Sequence, residues 1–184
     1  MIDEDKAKEL AAYFNKTPKE IINQYKSIRN SQNYISWVAK SNKEWSNLKI
    51  NQNSRKQVEN WFKDTNNYIF ELMETQSTSK RKKLNKEIIN FCKRNNLQKV
   101  LDFGCGVGQN AIDAARANLS ATMADLPGKT LDFAKWRVAK RKLKVEIIEI
   151  KNTRPVTKNY DAIICLEVFQ HLFSPLKTAR HLFK

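Results

Sequence analysis

The sequence predicts an α/β protein, a doubly wound parallel sheet preceded by an all-helical region. Three observations predict it. From Lys99 onward, short apolar runs alternate with stretches of helical periodicity. The first run ends in a glycine cluster, Gly104-Cys105-Gly106-Val107-Gly108. A later run, Ala162-Ile163-Ile164-Cys165-Leu166, is apolar throughout, the pattern of a strand buried on both faces between helix layers.

Taken in order, residues 1–78 read as helices only. Thr17-Pro18-Lys19-Glu20 is a helix start, with Thr as N-cap, Pro at the first helical position and Glu closing a capping box. Ile21, Ile22, Tyr25 and Ile28 then share one face. Trp37, Val38, Trp45 and Leu48 follow at helical separations, and a single amphipathic run from Ser54 to Thr75 aligns Val58, Trp61, Phe62, Ile69, Leu72 and Met73. The polar stretch Thr75 to Ser79 is the expected linker, so the domain boundary is placed at 78/79. A helix over Lys80–Asn95 should turn Leu84, Ile88, Phe91 and Cys92 inward.

The α/β part, residues 79–184, then gives strands over 100–103, 121–125, 145–150 and 160–166. Helices fall between them over 109–118 and 129–142, the second with Leu131, Ala134 and Val138 inward. A last helix begins near Phe173-Ser174-Pro175 and sets Leu176, Ala179 and Phe183 on one face.

Composition narrows the class. The 184 residues are 41% hydrophobic and 29% charged, enough for a core and against global disorder. No apolar stretch is long enough to span a bilayer, and the start Met1-Ile2-Asp3-Glu4-Asp5 lacks the features of a secretory signal. Three cysteines at these spacings fit neither a disulfide framework nor a zinc site, so a reduced, cytoplasmic protein without a metal is expected. The net charge of +15 invites a nucleic-acid reading. It is spread evenly, however, and rests on 25 Lys against 9 Arg. Base-reading sites lean on arginine forks, so a solvated basic surface is the simpler reading.

Ligands of doubly wound sheets bind at the carboxyl ends of the strands. There the glycines of residues 104–108 permit a tight turn and close backbone approach, and the next helix offers free N–H groups. Asp125 closes the second strand, where a carboxylate can accept both ribose hydroxyls. Gln109 stands where a dinucleotide fingerprint has its third glycine, and no P-loop Gly-Lys-Ser/Thr is present. Asp102, just before the turn, suits a cationic amine better than a pyrophosphate. A nucleoside carrying an α-amino acid and a sulfonium fits these residues better than a phosphate-bearing one.

Val100 to Gly108 resembles the first motif of class I S-adenosylmethionine-dependent methyltransferases, and Tyr160-Asp161-Ala162-Ile163-Ile164-Cys165-Leu166-Glu167-Val168-Phe169-Gln170-His171-Leu172 resembles their fourth-strand motif. Asp125 occupies their acidic ribose position, and the resemblance covers about residues 97–184. Ala124 to Arg137, with Tyr68 to Leu72 upstream, is similar to a subgroup carrying an N-terminal helical region. The resemblance implies a Rossmann-like fold, S-adenosylmethionine as cofactor and methyl transfer as the reaction. It implies that Gly104, Cys105, Gly106 and Gly108 hold the methionine part, with Asp102 near its amine. Asp125 would bind the ribose, Leu126 would pack on the adenine, and Leu166 with Glu167 would border the methionine and the acceptor. Asn152 stands where many relatives place an Asp near the adenine amino group.

Methyl transfer is catalysed mainly by proximity and orientation, with removal of a proton from a hydroxyl acceptor. His171 is the general-base candidate, with a structural histidine as its alternative, and Glu167 is divided between base and ligand contact. Cys165, flanked by Ile164 and Leu166, is rejected as a nucleophile. The expected acceptor is a small molecule, lipid or sugar. The alternatives are a noncatalytic nucleic-acid-binding module, or an inactive half-domain completed by a partner chain. Four strands where the family has seven imply a sheet truncated after the fourth. That predicts a bare edge there, and with it a fragment, a homo-oligomer or a missing partner.

Overall fold

The computed structural model describes residues 2–29, 37–150 and 159–183. The chain forms two compact units, Met1–Lys83 and Leu84–Lys184. The division falls inside a helix, α6.

The first unit holds α1 (Glu4–Tyr13), α2 (Pro18–Arg29), α3 (Trp37–Asn47), α4 (Arg55–Asp64), α5 (Asn67–Ser77) and the start of α6 (Ser79–Arg94). The capping box of α2 forms as the sequence predicts. Thr17 N and Oγ1 each donate to Glu20 Oε2 at 2.7 Å, and Glu20 N donates back to Thr17 Oγ1 at 3.2 Å. Ile21, Tyr25 and Ile28 are buried, and the Tyr25 hydroxyl donates to the Phe70 carbonyl at 2.7 Å. Trp37 stacks on Phe70 with ring centres 4.5 Å apart, so the aromatics of this unit build a helix–helix core.

Three expectations need correction here. The run from Ser54 to Thr75 is two helices, because Thr65 turns extended and its hydroxyl donates to Glu44 Oε2 at 2.6 Å. That tertiary contact interrupts a pattern that is locally continuous. The Thr75–Ser79 linker is a single residue, Thr78, between α5 and α6. Trp37 on α3 is buried, but Val38 on the same helix and Leu48 just past its end are exposed, since helical spacing selects a stripe and not its flanks.

The second unit continues α6 into β1 (Lys99–Phe103), α7 (Gln109–Arg116), β2 (Ser120–Asp125), α8 (Lys129–Lys140), β3 (Val145–Glu149), β4 (Ala162–Ile164) and α9 (Pro175–Leu182). A single 3₁₀ turn, Phe169–His171, lies between β4 and α9. The sheet is parallel in the order β3-β2-β1-β4. The chain therefore leaves β1 toward β2 and returns to its other side at β4, so the order reverses at β1. On one face Val100, Ala121, Met123 and Ile164 pack with Ile89 and Cys92 of α6, Ile112 of α7, and Leu131, Ala134 and Val138 of α8. On the other face Leu101, Phe103 and Ala124 meet Val168, Leu172 and Leu182.

Here too some apolar residues point elsewhere than expected. The buried face of α6 is Asn85, Ile89 and Cys92, whereas Leu84 and Phe91 are exposed. The fourth strand is only three residues long, and Ile163 is 36% exposed, because β4 pairs with β1 alone among the described residues. On α9 the predicted apolar face is outward, with Leu176 74% and Phe183 89% exposed, while Thr178 is buried and Leu182 packs inward. No helix of the described residues is long and apolar enough to cross a membrane.

Candidate nucleoside-binding site

The carboxyl end of β1 runs straight into the glycine turn. Gly104, Gly106 and Gly108 have φ of 69°, 53° and 71°, a left-handed conformation that costs a side-chain-bearing residue. Gly104 N and Cys105 N both donate to the Ala124 carbonyl, at 2.8 and 3.2 Å, which pins the turn to the end of β2. A Cβ on Gly104 would lie 2.4 Å from Val168 Cγ2, and one on Gly108 3.2 Å from Ala134 Cβ. The loop after β4 thus presses on the first glycine and α8 on the third.

Asp125, at the end of β2, faces the middle of the turn. Its Oδ2 accepts from Gly106 N and its Oδ1 from Leu126 N, both at 2.7 Å. Burial raises its pKa, and the two backbone N–H groups pull the other way. The residue is only partly buried, and Leu126 beside it is half-buried.

Asp102 is buried at the end of β1. Its Oδ2 accepts from Ala111 N at 3.2 Å and its Oδ1 from Asn110 Nδ2 at 3.4 Å. Gly108, the N-cap of α7, has no side chain to cap the helix. The Asp102 carboxylate therefore does so from a neighbouring strand, at the end of the dipole that favours negative charge. Burial pushes its pKa up to about 7, opposed by Asn110 and Ala111 and reinforced by Asp125 and Asp113. Asn110 Oδ1 is buried and has no hydrogen-bond partner. A buried carboxylate with an orphaned carbonyl oxygen beside it forms an acceptor-rich spot.

Cys105 is buried, and its thiol is pushed up by burial and by the Asp125 and Asp102 carboxylates, so this residue offers the turn its backbone. Burial also takes the Cys165 thiol up to about 11, consistent with an inert cysteine. Leu166 packs against the main core at the end of β4. Glu167 is exposed with φ 58°, unusual for a non-glycine, and its Oε2 accepts from Gln170 Nε2 at 3.2 Å. His171 lies at the surface; desolvation lowers its pKa while the Glu167 carboxylate raises it. Asn152 lies outside the described residues. No group of His, Cys, Asp and Glu side chains among the described residues is arranged to hold a metal ion.

The structure therefore brings Asp102, the glycine turn, Asp125 and Leu126 together at the ends of β1 and β2. It links them to Glu167 through the Val168–Gly104 contact. Sequence reading missed Gln109, Asn110, Arg137 and Val168 as parts of this arrangement. Arg137 had a legible signal, since it lies three residues after Ala134 on the inward stripe of α8.

A parallel sheet that reverses at β1, a glycine turn and a carboxylate closing β2 define a Rossmann-like domain with its candidate ligand site at the strand ends. Residues 101–184 match the family model described as a methyltransferase domain. That match covers most of the α/β unit and a little under half of the chain. The ubiquinone biosynthesis O-methyltransferase of Salmonella paratyphi A is 32% identical over 81 residues, covering 42% of this chain and 34% of that protein. Its counterpart from Escherichia coli O7:K1 is 30% identical over 86 residues, covering 45% and 36%. The chain spans about a third of the length of these curated relatives. The fold is similar to that of magnesium protoporphyrin IX methyltransferase from Synechocystis PCC 6803, solved with bound SAH. The TM-score is 0.50 at 18% identity, over 89% of this chain and 66% of that one.

Proposed function

We propose that this chain binds S-adenosylmethionine and belongs to a methyltransferase acting on a small molecule, lipid or sugar. The names of the curated relatives favour a hydroxyl oxygen as the accepting atom. The observation that carries the reading is the convergence of the Gly104–Gly108 turn and the Asp125 carboxylate. The residues present fit this cofactor. On this reading Asp125 would take the two ribose hydroxyls with its remaining lone pairs, and Leu126 would flank the adenine. Asp102 and the unpartnered Asn110 Oδ1 are acceptors suited to an ammonium group and unsuited to a pyrophosphate.

The cofactor supplies an electrophilic methyl on a positive sulfonium. The chain's own residues orient and exclude water: the glycine turn admits close approach of the backbone, and Leu166 walls the end of β4. On this reading Glu167 and His171, in the loop beyond β4, are the candidates to receive the proton of a hydroxyl acceptor. A His171 pKa below its ordinary value keeps the imidazole neutral, and able to accept a proton, near pH 7.

Calorimetric titration with S-adenosylmethionine and S-adenosylhomocysteine tests the reading, with Asp125→Ala alongside and its fold checked by circular dichroism. The expected loss is about 10- to 100-fold in affinity, the size of hydrogen bonds to a charged group. A folded wild-type chain that binds neither ligand would sink the proposal.

A further inference from the structure

Among the described residues Arg137 is the largest fully buried side chain, and it lies on α8, outside the residues assigned above. Its guanidinium reaches back to the glycine turn. Nη1 donates to the Val107 carbonyl, and Nη2 donates to Gln109 Oε1 at 2.7 Å. The Gln109 carboxamide is in turn fixed by Asp113, whose Oδ1 accepts from Gln109 Nε2 at 2.9 Å. The Phe133 ring lies 5.8 Å from the guanidinium carbon, and Ala134, one turn earlier on α8, backs Gly108.

Burying a guanidinium is costly, and hydrophobic residues of similar volume often replace buried charges without loss of stability. An arginine used as a fork between two oxygens of one loop points to a geometric role instead. The two oxygens belong to residues 107 and 109, on either side of Gly108. They fix the direction of the Val107 carbonyl and with it the Val107–Gly108 peptide plane. That anchors the turn one residue past Gly106, whose N–H donates to Asp125. Gln109 stands where a dinucleotide-binding turn would carry glycine, and here its side chain is the second anchor of the clamp.

We propose that Arg137 is a positioning residue for the nucleoside site. Acting through the Val107 carbonyl and the Gln109 carboxamide, it holds the glycine turn in its binding conformation before ligand arrives. The benefit is affinity through preorganisation. This inference rests on the function proposed above for the identity of the ligand, though not for the state of the turn.

The test uses the full chain and two readouts: calorimetric affinity for S-adenosylhomocysteine, and hydrogen exchange of residues 103–110 without ligand. Arg137→Met is expected to weaken binding about tenfold or more and to speed exchange selectively in 103–110, leaving β2 and the helical unit unchanged. Arg137→Lys is expected to recover only part of the loss, because an ammonium cannot fork between two oxygens. Gln109→Leu should lose less than Arg137→Met, and the double variant no more than Arg137→Met alone. Binding within twofold of wild type with unchanged exchange in the turn would overturn the proposal. So would exchange accelerated uniformly over the α/β unit, the mark of a merely structural arginine. If the wild-type chain itself binds no S-adenosylhomocysteine, the proposed function fails, and exchange in 103–110 still decides the role of Arg137. If Arg137→Met does not fold, Gln109→Leu decides it by the same exchange measurement: faster turn exchange supports the clamp and unchanged exchange removes it.

Discussion

Two flanks of β1 in the α/β unit are built very differently. Toward β2 and α8 the inward side chains are enclosed: Leu131, Phe133, Ala134 and the charged Arg137 are all fully buried. Toward β4 and α9 the strand is three residues long, and Leu176 and Phe183 lie open. The glycine turn sits between these flanks and touches both, through Gly108 against Ala134 and Gly104 against Val168. A charged side chain can therefore be buried here, and large apolar ones exposed, because burial is set by which element lies opposite. The closed flank backs the glycine turn, and the open flank carries the candidate residues Glu167 and His171.

The sharpest way to break this contrast is to cut into the closed flank. Leu131→Ala should destabilise the protein by about 2–5 kcal/mol, as core truncations do, read from denaturant unfolding. Gly104→Ala should cost about 2–4 kcal/mol, combining a left-handed backbone with a Cβ driven into Val168. Val168→Ala in the same chain should return only the steric part of that loss. Equal stabilities of Gly104→Ala with and without Val168→Ala would show that the open flank does not press on the turn.

Asp102 sharpens the comparison through pH. Its folded-state pKa of about 7 lies above the ordinary 3.8, so the folded protein holds this proton more tightly than the unfolded chain. Stability contributed by this group is then fully present below about pH 4 and is lost as pH rises toward about 7. Asp102→Asn should remove that component, making the melting temperature less dependent on pH over this window. An unchanged dependence would mean that Asp102 titrates normally. The smallest effect is expected at the open flank, where Leu176→Ser should fall within about 0.5 kcal/mol of wild type. A larger loss, or a change in solution mass measured by light scattering, would show that this face is covered in solution.

The strand–helix alternation, the glycine turn and Asp125 were legible because they rest on local rules. Glycine is favoured where φ is positive, and a run of β-branched and apolar residues biases the chain toward a strand. The capping box of α2 was legible for the same reason, being complete within four residues. Local pattern failed where a distant partner decided the outcome. Thr65 breaks a continuous helical pattern because Glu44 holds its hydroxyl. The apolar stripe Leu176, Ala179 and Phe183 was read correctly as a face, but spacing cannot say whether that face has a neighbour.

Sequence alone thus determined the class of the domain, its element order in the α/β part, and the residues that meet at the ends of β1 and β2, because each follows from short-range stereochemistry and chemical type. Tertiary structure alone decided that Asp102 caps α7, that Val168 closes on Gly104, and that a buried arginine 30 residues away grips the turn. These depend on where the parallel crossovers bring separate segments into contact, and no local pattern of side chains encodes that distance.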